Sequence, residues 1–317
     1  MTVEEVQALG QAIRAEIGKA VIGHDATVDL LLVALFAGGH ILLEGPPGTA
    51  KTLLAHAFAK TVGLEFGRIQ FTPDLMPGDI IGANLFNFQT STFTLTQGPI
   101  FTELLLADEI NRTSPKTQAA LLEAMQERTV TIDGESLALS NRFTVVATQN
   151  PIEQQGVYPL PEAQLDRFLF KQTVSYPTAE EERRIVADHG ARSTAMSPAD
   201  WGSRRAPTRR RSMRRSRRSR RCGWWTRSST ISSRWSAGRA MSPTWKAAPR
   251  RGRARCWRGP RARAALDGRD FVIPDDVKTL APALLRHRLI LSPAAEISGR
   301  AIEDVVAQII ETIEAPR

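Results

Sequence analysis

Apolar residues recur at helical spacing in Val3–Ile17 (Val6, Leu9, Ile13, Ile17), and the pattern predicts a short amphipathic helix there. Asp25–Ala37 is more uniformly apolar and predicts a second, buried helix. The run "HILLEG" (40–45) then reads as a short strand entering a Gly/Pro turn. Four further runs have the same character: "RIQF" (68–71), "LLLAD" (104–108), "FTVVAT" (143–148) and "FLFKQTV" (168–174). Helical stretches such as Lys51–Val62 and Pro115–Gln126 separate most of them. Short apolar strands alternating with helices predict an α/β fold whose parallel sheet is covered on both faces.

Two segments alternate with period two instead. "LFNFQTSTFTL" (85–95) brackets a polar turn, and "TVTIDGESLAL" (129–139) carries Asp133-Gly134, a hairpin turn pair. Both predict hairpins. Near the other end of the chain, "IPDDVKTLAPALLRHRL" (273–289) has Pro and Asp at a helix start, and "AIEDVVAQIIETI" (301–313) is again amphipathic.

Composition changes the picture in one place. The formal net charge is +9, but residues 190–265 hold 22 Arg and Lys246 against one acid, Asp200. The remaining residues carry 19 bases and 32 acids, a balance of −13. The same segment contains all six Trp and both cysteines, Cys222 and Cys256, with one Ile and no Leu, Val or Glu. Such a stretch has little apolar area to offset chain entropy, so disorder is expected over 190–262. The cysteines form no CxxC pair and indicate neither a metal nor a redox motif. The start lacks a signal-peptide layout, and no apolar run reaches the ~20 residues of a membrane helix. A cytoplasmic protein is expected.

The candidate chemistry begins at "GPPGTAKT" (45–52), between a strand and a helix. Here Gly45, Pro46, Pro47, Gly48, Thr49 and Ala50 would turn backbone amides toward a phosphate at a helix N-terminus. Lys51 would reach the β- and γ-phosphates of ATP, and the Thr52 hydroxyl would ligate Mg²⁺. The usual pattern places Gly where Ala50 stands, which leaves a plain Gly/Pro turn as the alternative. "LLLADEINR" (104–112) ends in two carboxylates 57 residues after Lys51, on what is expected to be a neighbouring strand. Asp108 would hold Mg²⁺ and Glu109 would activate the attacking water. "VVATQNP" (145–151) places Asn150 where it could sense the γ-phosphate, or merely cap a turn before Pro151. Arg167 in "LPEAQLDRFLF" (160–170) could stabilise transition-state charge from a neighbouring subunit, or pair with Asp166.

With these motifs in order, the chain resembles the MoxR family of AAA+ ATPases. The resemblance rests on "GPPGTAKT", "FTPDLMPGDIIGANLF" (71–86), "ADEINRTSPKTQAALLEAMQERTVTIDG" (107–134), "ATQNPIEQQGVYPLPEAQLDRFLF" (147–170) and "GRDFVIPDDVKTLAPALLRHRLILSP" (268–293). It implies a sheet of order 5-1-4-3-2, an α-helical lid, and a homo-oligomeric ring, usually of six subunits. ATP turnover would drive chaperone-like maturation of other proteins, with a von Willebrand factor A-domain protein as the usual partner. Val21, Ile22 and Gly23 match the segment that borders the adenine. The two hairpins correspond to inserts in the second helix and before the sensor strand, with packing as sheet extensions as the alternative. The implied domains are a nucleotide-binding core (1–185), the Arg/Ser/Trp-rich segment (190–262) and a lid remnant (264–317).

The chain departs from the family from about residue 190, where leucine- and valine-rich lid helices and a Gly-Ala-Ser-Pro-Arg sensor motif are absent. The genetic code offers an explanation. Shifted one base back, Trp224-Trp225 must encode Val, Trp225-Thr226 Asp, Trp245-Lys246 Glu and Cys256-Trp257 Leu. The same shift lets "TWKAAPRRGR" (244–253) encode a Gly-Ala-Ser-Pro-Arg sequence. Residues 190–260 therefore read as an out-of-frame translation, with the frame restored by Ala264. The competing reading is a nucleic-acid arm at 204–258, in which arginines contact phosphates and tryptophans stack on bases. The expected function is that of an ATPase. The alternatives are a P-loop ATPase acting on nucleic acid, and a nucleotide binder without turnover.

Overall fold

The computed structural model describes residues 2–89, 91–152, 156–189, 245–247 and 258–312. Five strands form the central sheet: β1 (Ile41–Glu44), β2 (Phe66–Gln70), β5 (Leu104–Asp108), β8 (Thr144–Gln149) and β9 (Phe170–Thr173). They lie in the order β2-β5-β8-β1-β9, and every pairing is parallel. Numbered as core strands along the chain, this is 5-1-4-3-2. Side chains alternate between two apolar layers. Ile41, Leu43, Leu104, Leu106 and Val146 face one, and Leu42, Leu105, Ala107, Val145 and Ala147 face the other. Burial on both faces is why these runs are continuously apolar rather than alternating.

The first layer is covered by α1 (Val3–Gly18), α2 (Asp25–Ala37) and α3 (Lys51–Val62), through residues such as Ile13, Leu31 and Phe58. The second is covered by α4 (Pro77–Ile81) and α5 (Pro115–Glu127), through Ile80, Leu121 and Met125. The α1 start is a capping box, with Thr2 and Glu5 each accepting from the other's backbone N–H.

Both expected hairpins form. β3 (Gly82–Asn87) pairs antiparallel with β4 (Thr92–Gln97), and β6 (Thr129–Ile132) with β7 (Glu135–Ala138). Asp133 and Gly134 both take positive φ at the β6–β7 turn, as a tight hairpin turn requires. Neither hairpin extends the central sheet; each is a separate two-stranded sheet. Asn84 Nδ2 donates to Asp133 Oδ2 at 2.8 Å and ties one hairpin to the other. The β3–β4 arm follows α4 directly, and β6–β7 lies between α5 and β8.

Of the Arg/Ser/Trp-rich segment, residues 190–244 and 248–257 lie outside the described residues, and with them most of the expected disorder. Trp245–Ala247 forms strand β10, antiparallel to β11 (Leu289–Leu291). After the core helices α6 (Glu162–Leu165) and α7 (Ala179–His189), the lid helix α8 (Arg258–Leu266) starts before the expected boundary at 264. Short residues explain the earlier start. Gly259, Pro260 and Ala262 are buried, letting this helix lie close to α2. Arg263 reaches Asp29 at 2.6 Å, an acid shared with Arg14. The lid continues through α9 (Pro274–Leu285), α10 (Pro293–Ile297) and α11 (Ile302–Thr312). Ala262, Leu266, Leu280, Ala283 and Leu284 join the same apolar cluster as Ile13, Leu31 and Phe170. Helices α8 and α9 are therefore docked on the core, whereas Val305 and Val306 of α11 cluster separately with Leu289.

His287 follows α9 and is 7% exposed. Its Nε2–H donates to the Phe168 carbonyl at 3.1 Å. Burial, reinforced by Arg288, Lys171 and Arg286, holds the ring's pKa well below its ordinary 6.5. The unfolded chain protonates this histidine near its ordinary value, so below that pH it holds one proton more than the folded chain. Stability is complete above about pH 6.5 and declines as pH falls, by up to about 1.4 kcal/mol per pH unit from this group. His24 and His56, also lowered by burial, add to the same slope. His287→Gln should flatten the decline of the urea midpoint between pH 7.5 and 5, and an unchanged slope would refute the assignment.

Candidate active site

The predicted phosphate loop leaves the carboxyl end of β1. Gly45 N donates to Gln149 O at 3.2 Å, fixing the loop's start against β8. A Cβ at position 45 would lie 2.2 Å from the Val174 carbonyl oxygen, so only glycine fits between these strand ends. Ala50 stands in the left-handed region, with φ 57° and ψ 20°. The usual glycine would adopt this conformation without strain, and alanine pays about 1–2 kcal/mol for it.

Lys51 folds back into the loop. Its Nζ donates to Gly45 O at 2.9 Å, Pro46 O at 2.6 Å and Thr49 Oγ1 at 3.1 Å, using all three ammonium protons. Burial lowers its pKa, opposed by the charges of Asp108 and Glu109. Val21 and Ile22 are buried beside this region, and Gly23 has φ 82°. That backbone conformation is one that L side chains rarely adopt, which explains the glycine independently of any ligand. The His24 ring lies near the Thr49 backbone, which favours its protonated form against the stronger effect of burial.

Asp108 ends β5, which is not beside β1 as expected: β8 lies between them. The two motifs meet nonetheless, because α3 carries Thr52 over the strand ends. Asp108 Oδ2 accepts from Thr52 Oγ1 at 3.0 Å and from Arg68 Nη2 at 2.9 Å. Asp108 Oδ1 accepts from Thr148 Oγ1 at 2.7 Å. The Thr148 oxygen in turn accepts from Glu109 N at 2.8 Å. Glu109 is itself left-handed, at φ 59° and ψ 49°, a strained backbone of the kind found at functional sites. Its Oε2 accepts from Gln70 Nε2 at 2.7 Å and pairs with Arg112 Nε at 3.3 Å.

The hydroxyl of Thr52 and the carboxylate of Asp108 are hard oxygen donors of the kind Mg²⁺ takes, and they already converge. Among the described residues no cluster of three or more His, Cys, Asp or Glu could hold a metal. Such a pair therefore suits an ion whose other ligands are phosphate and water.

Asn150 lies one residue beyond the Glu44–Gln149 pairing and thus beside Gly45. It is buried, and its Oδ1 accepts from Ile152 N at 3.1 Å, which is the turn cap. Arg167 is not brought to the loop at all. It precedes β9, at the amino ends of the strands, whereas Lys51 follows the carboxyl end of β1. The Asp166–Arg167 pair is not formed, since Asp166 binds Arg288 Nε at 2.7 Å. The half-buried Arg167 side chain makes no hydrogen bond or ion pair with any described residue.

Arg68, Gln70, Arg112 and Thr148 were not singled out from the sequence. The signal for the first two was a polar pair at period two inside "RIQF", which puts both on one face of β2 toward Asp108 and Glu109.

A phosphate loop and a paired-acid strand end on a 5-1-4-3-2 sheet with a helical lid define an AAA-type ATPase. Comparison with known proteins agrees. Residues 40–170 match the model of the ATPase family associated with various cellular activities (AAA), and residues 243–309 match the AAA lid domain. The chain is 41% identical to chaperone MoxR1 of Mycobacterium tuberculosis, over 99% of this chain and 84% of that protein. It is 40% identical to YeaC of Bacillus subtilis, over 97% and 95%. A crystal structure of a protein from Cytophaga hutchinsonii, assigned as an ATPase, superposes with a TM-score of 0.80 at 34% identity, covering 99% of this chain and 97% of its own. The chain belongs to the MoxR family of AAA+ ATPases. No helix among the described residues is long and apolar enough to cross a membrane.

Thr148 joins the two acids through one oxygen. Thr148→Val keeps the shape and leaves the buried Asp108 carboxylate one donor short. The expected cost is about 1.5–3 kcal/mol, the range for hydrogen bonds to charged groups. A urea midpoint indistinguishable from that of the parent protein would exclude this role.

Proposed function

We propose that the protein binds Mg-ATP at the 45–52 loop, hydrolyses it between subunits of a ring, and uses the turnover to remodel partner proteins. The observation that carries this reading is the convergence of Lys51, Thr52, Asp108 and Glu109 at the carboxyl ends of β1 and β5, with Thr148 joining the two acids. Lys51 exchanges the Gly45 and Pro46 carbonyls for phosphate oxygens, and the freed loop backbone receives the phosphate chain. Val21, Ile22 and Gly23 border the base. Thr52 and Asp108 would hold a Mg²⁺ brought with the nucleotide, which would supply neutralisation of phosphate charge. Glu109 Oε2 is engaged by Gln70 and Arg112, which leaves Oε1 to take the proton of the attacking water. Asn150 stands beside the loop with its amide group still available to a γ-phosphate oxygen.

Arg167 lies a full strand's length from its own phosphate loop, about 13 Å for four residues. Its role is in the adjacent subunit's site. The family resemblance supports a ring of six and a von Willebrand factor A-domain protein as partner. The basic segment 204–258 is almost wholly outside the described residues and adds nothing to this reading.

Lys51→Ala should abolish binding of a fluorescent ATP analogue. Glu109→Gln should bind it with little change while turnover falls by about 10²–10⁴-fold, the contribution of a general base. Unchanged turnover in Glu109→Gln would remove this residue from the chemistry.

Arg167→Ala and Lys51→Ala subunits, each inactive alone, should recover activity when mixed. One class of interface in a mixed ring then keeps both an intact loop and an intact arginine. No recovery, in mixtures shown to co-assemble, would place Arg167 outside the site.

A further inference from the structure

Arg288, just beyond α9, spends its entire guanidinium on one short piece of the core. Its Nε donates to Asp166 Oδ1 at 2.7 Å. Its Nη2 donates to Phe168 O at 2.7 Å and Asp166 O at 3.4 Å. Its Nη1 donates to Leu169 O at 3.2 Å and to Leu284 O within the lid. All five N–H groups of the fork are used. Four of the five acceptors belong to residues 166, 168 and 169, the immediate neighbours of Arg167.

The adjacent His287 donates to the same Phe168 carbonyl from the other side, and burial keeps its ring neutral, as that bond requires only one proton. Phe168 is fully buried, so the segment is pinned on its apolar side as well. Arg167 is the exception within this clamp. Its backbone is fixed by Arg167 N donating to Gln164 O at 3.1 Å, but its side chain makes no contact of this kind with any described residue. A cation held by its surroundings yet left unpaired is preorganised for a group outside the chain.

We infer that Arg288 is the positioning residue for Arg167, gripping the 166–169 backbone so that the lid of one subunit sets the arginine offered to the next. This rests on the assignment of Arg167 to a neighbour's site. Lysine cannot replace Arg288, because three donors on a flexible stem do not reproduce a planar fork bonded to five acceptors.

The test uses the full chain with Arg288→Lys, Arg167→Ala and the two combined. Arg288→Lys should slow ATP turnover at least tenfold, keep the affinity for a fluorescent ATP analogue within twofold, and speed hydrogen exchange in the peptide covering residues 164–170. Combined with Arg167→Ala, it should slow turnover no further than Arg167→Ala does alone. Affinity falling in step with turnover would indicate general damage and overturn the inference, as would unchanged exchange. Full additivity beside a slow Arg167→Ala overturns this inference alone, whereas parental turnover in Arg167→Ala overturns the assignment of Arg167 and this inference with it.

Discussion

The Asp108 carboxylate accepts from three side chains that the fold brings to one point: Thr52 from the start of α3, Arg68 from β2 and Thr148 from β8. Its strand, β5, lies between β2 and β8, and this makes the convergence possible. A carboxylate almost out of water needs such donors, since an unpaired charge there would cost several kcal/mol. Satisfying it fixes the relative positions of three strands and the helix α3. The same network then places Glu109, because the Thr148 oxygen that donates to Asp108 also accepts the Glu109 amide. The strained left-handed backbone at Glu109 persists because it is held from both sides.

The sequence was informative where physics is local. Continuous apolar runs located the inner strands β1, β5 and β8 to within a residue or so, since strands buried on both faces admit little else, and the more polar edge strands β2 and β9 were placed to within about two residues. Asp133-Gly134 announced its hairpin because few residues tolerate two successive positive φ angles. Hidden from the sequence were features that depend on what packs across from a residue. Gly45 is required by the Val174 carbonyl, 129 positions away in the chain. Arg68 and Gln70 acquire their meaning only when β2 is placed beside β5 in register, with Gln70 opposite Asp108. The insertion of β8 between β1 and β5 could not be read from the spacing of the two motifs.

The lid illustrates the difference between composition and packing. Short residues and arginines carry little apolar area, which argued for placing the lid boundary at 264. In the fold, Gly259, Pro260 and Ala262 are buried because small side chains allow close approach to α2, and Arg263 is spent on Asp29. Leu266, Leu280 and Leu284 then supply the apolar contact with α1 and the sheet. The docking of these helices depends on surfaces that lie before residue 180 or after residue 257. It would be available to the chain under either reading of the arginine-rich segment.

Among the described residues, the arginines around the lid contrast with Arg167. Arg263, Arg269, Arg286 and Arg288 are largely shielded and each meets an acid, so their charges are spent inside the fold. Arg167 is comparably placed, half-buried on a rigid turn, yet Asp166 beside it is given to Arg288 instead. An adjacent acid would ordinarily claim such a guanidinium. Diverting that acid to the lid leaves Arg167 without an ion-pair partner among the described residues, at the end of the sheet opposite its own phosphate loop. Such a cation favours an anionic group brought by another molecule, and under the proposed function a nucleotide held by a second copy of the chain would be that group. The features that tie the lid to the core and those that leave Arg167 free are the same hydrogen bonds.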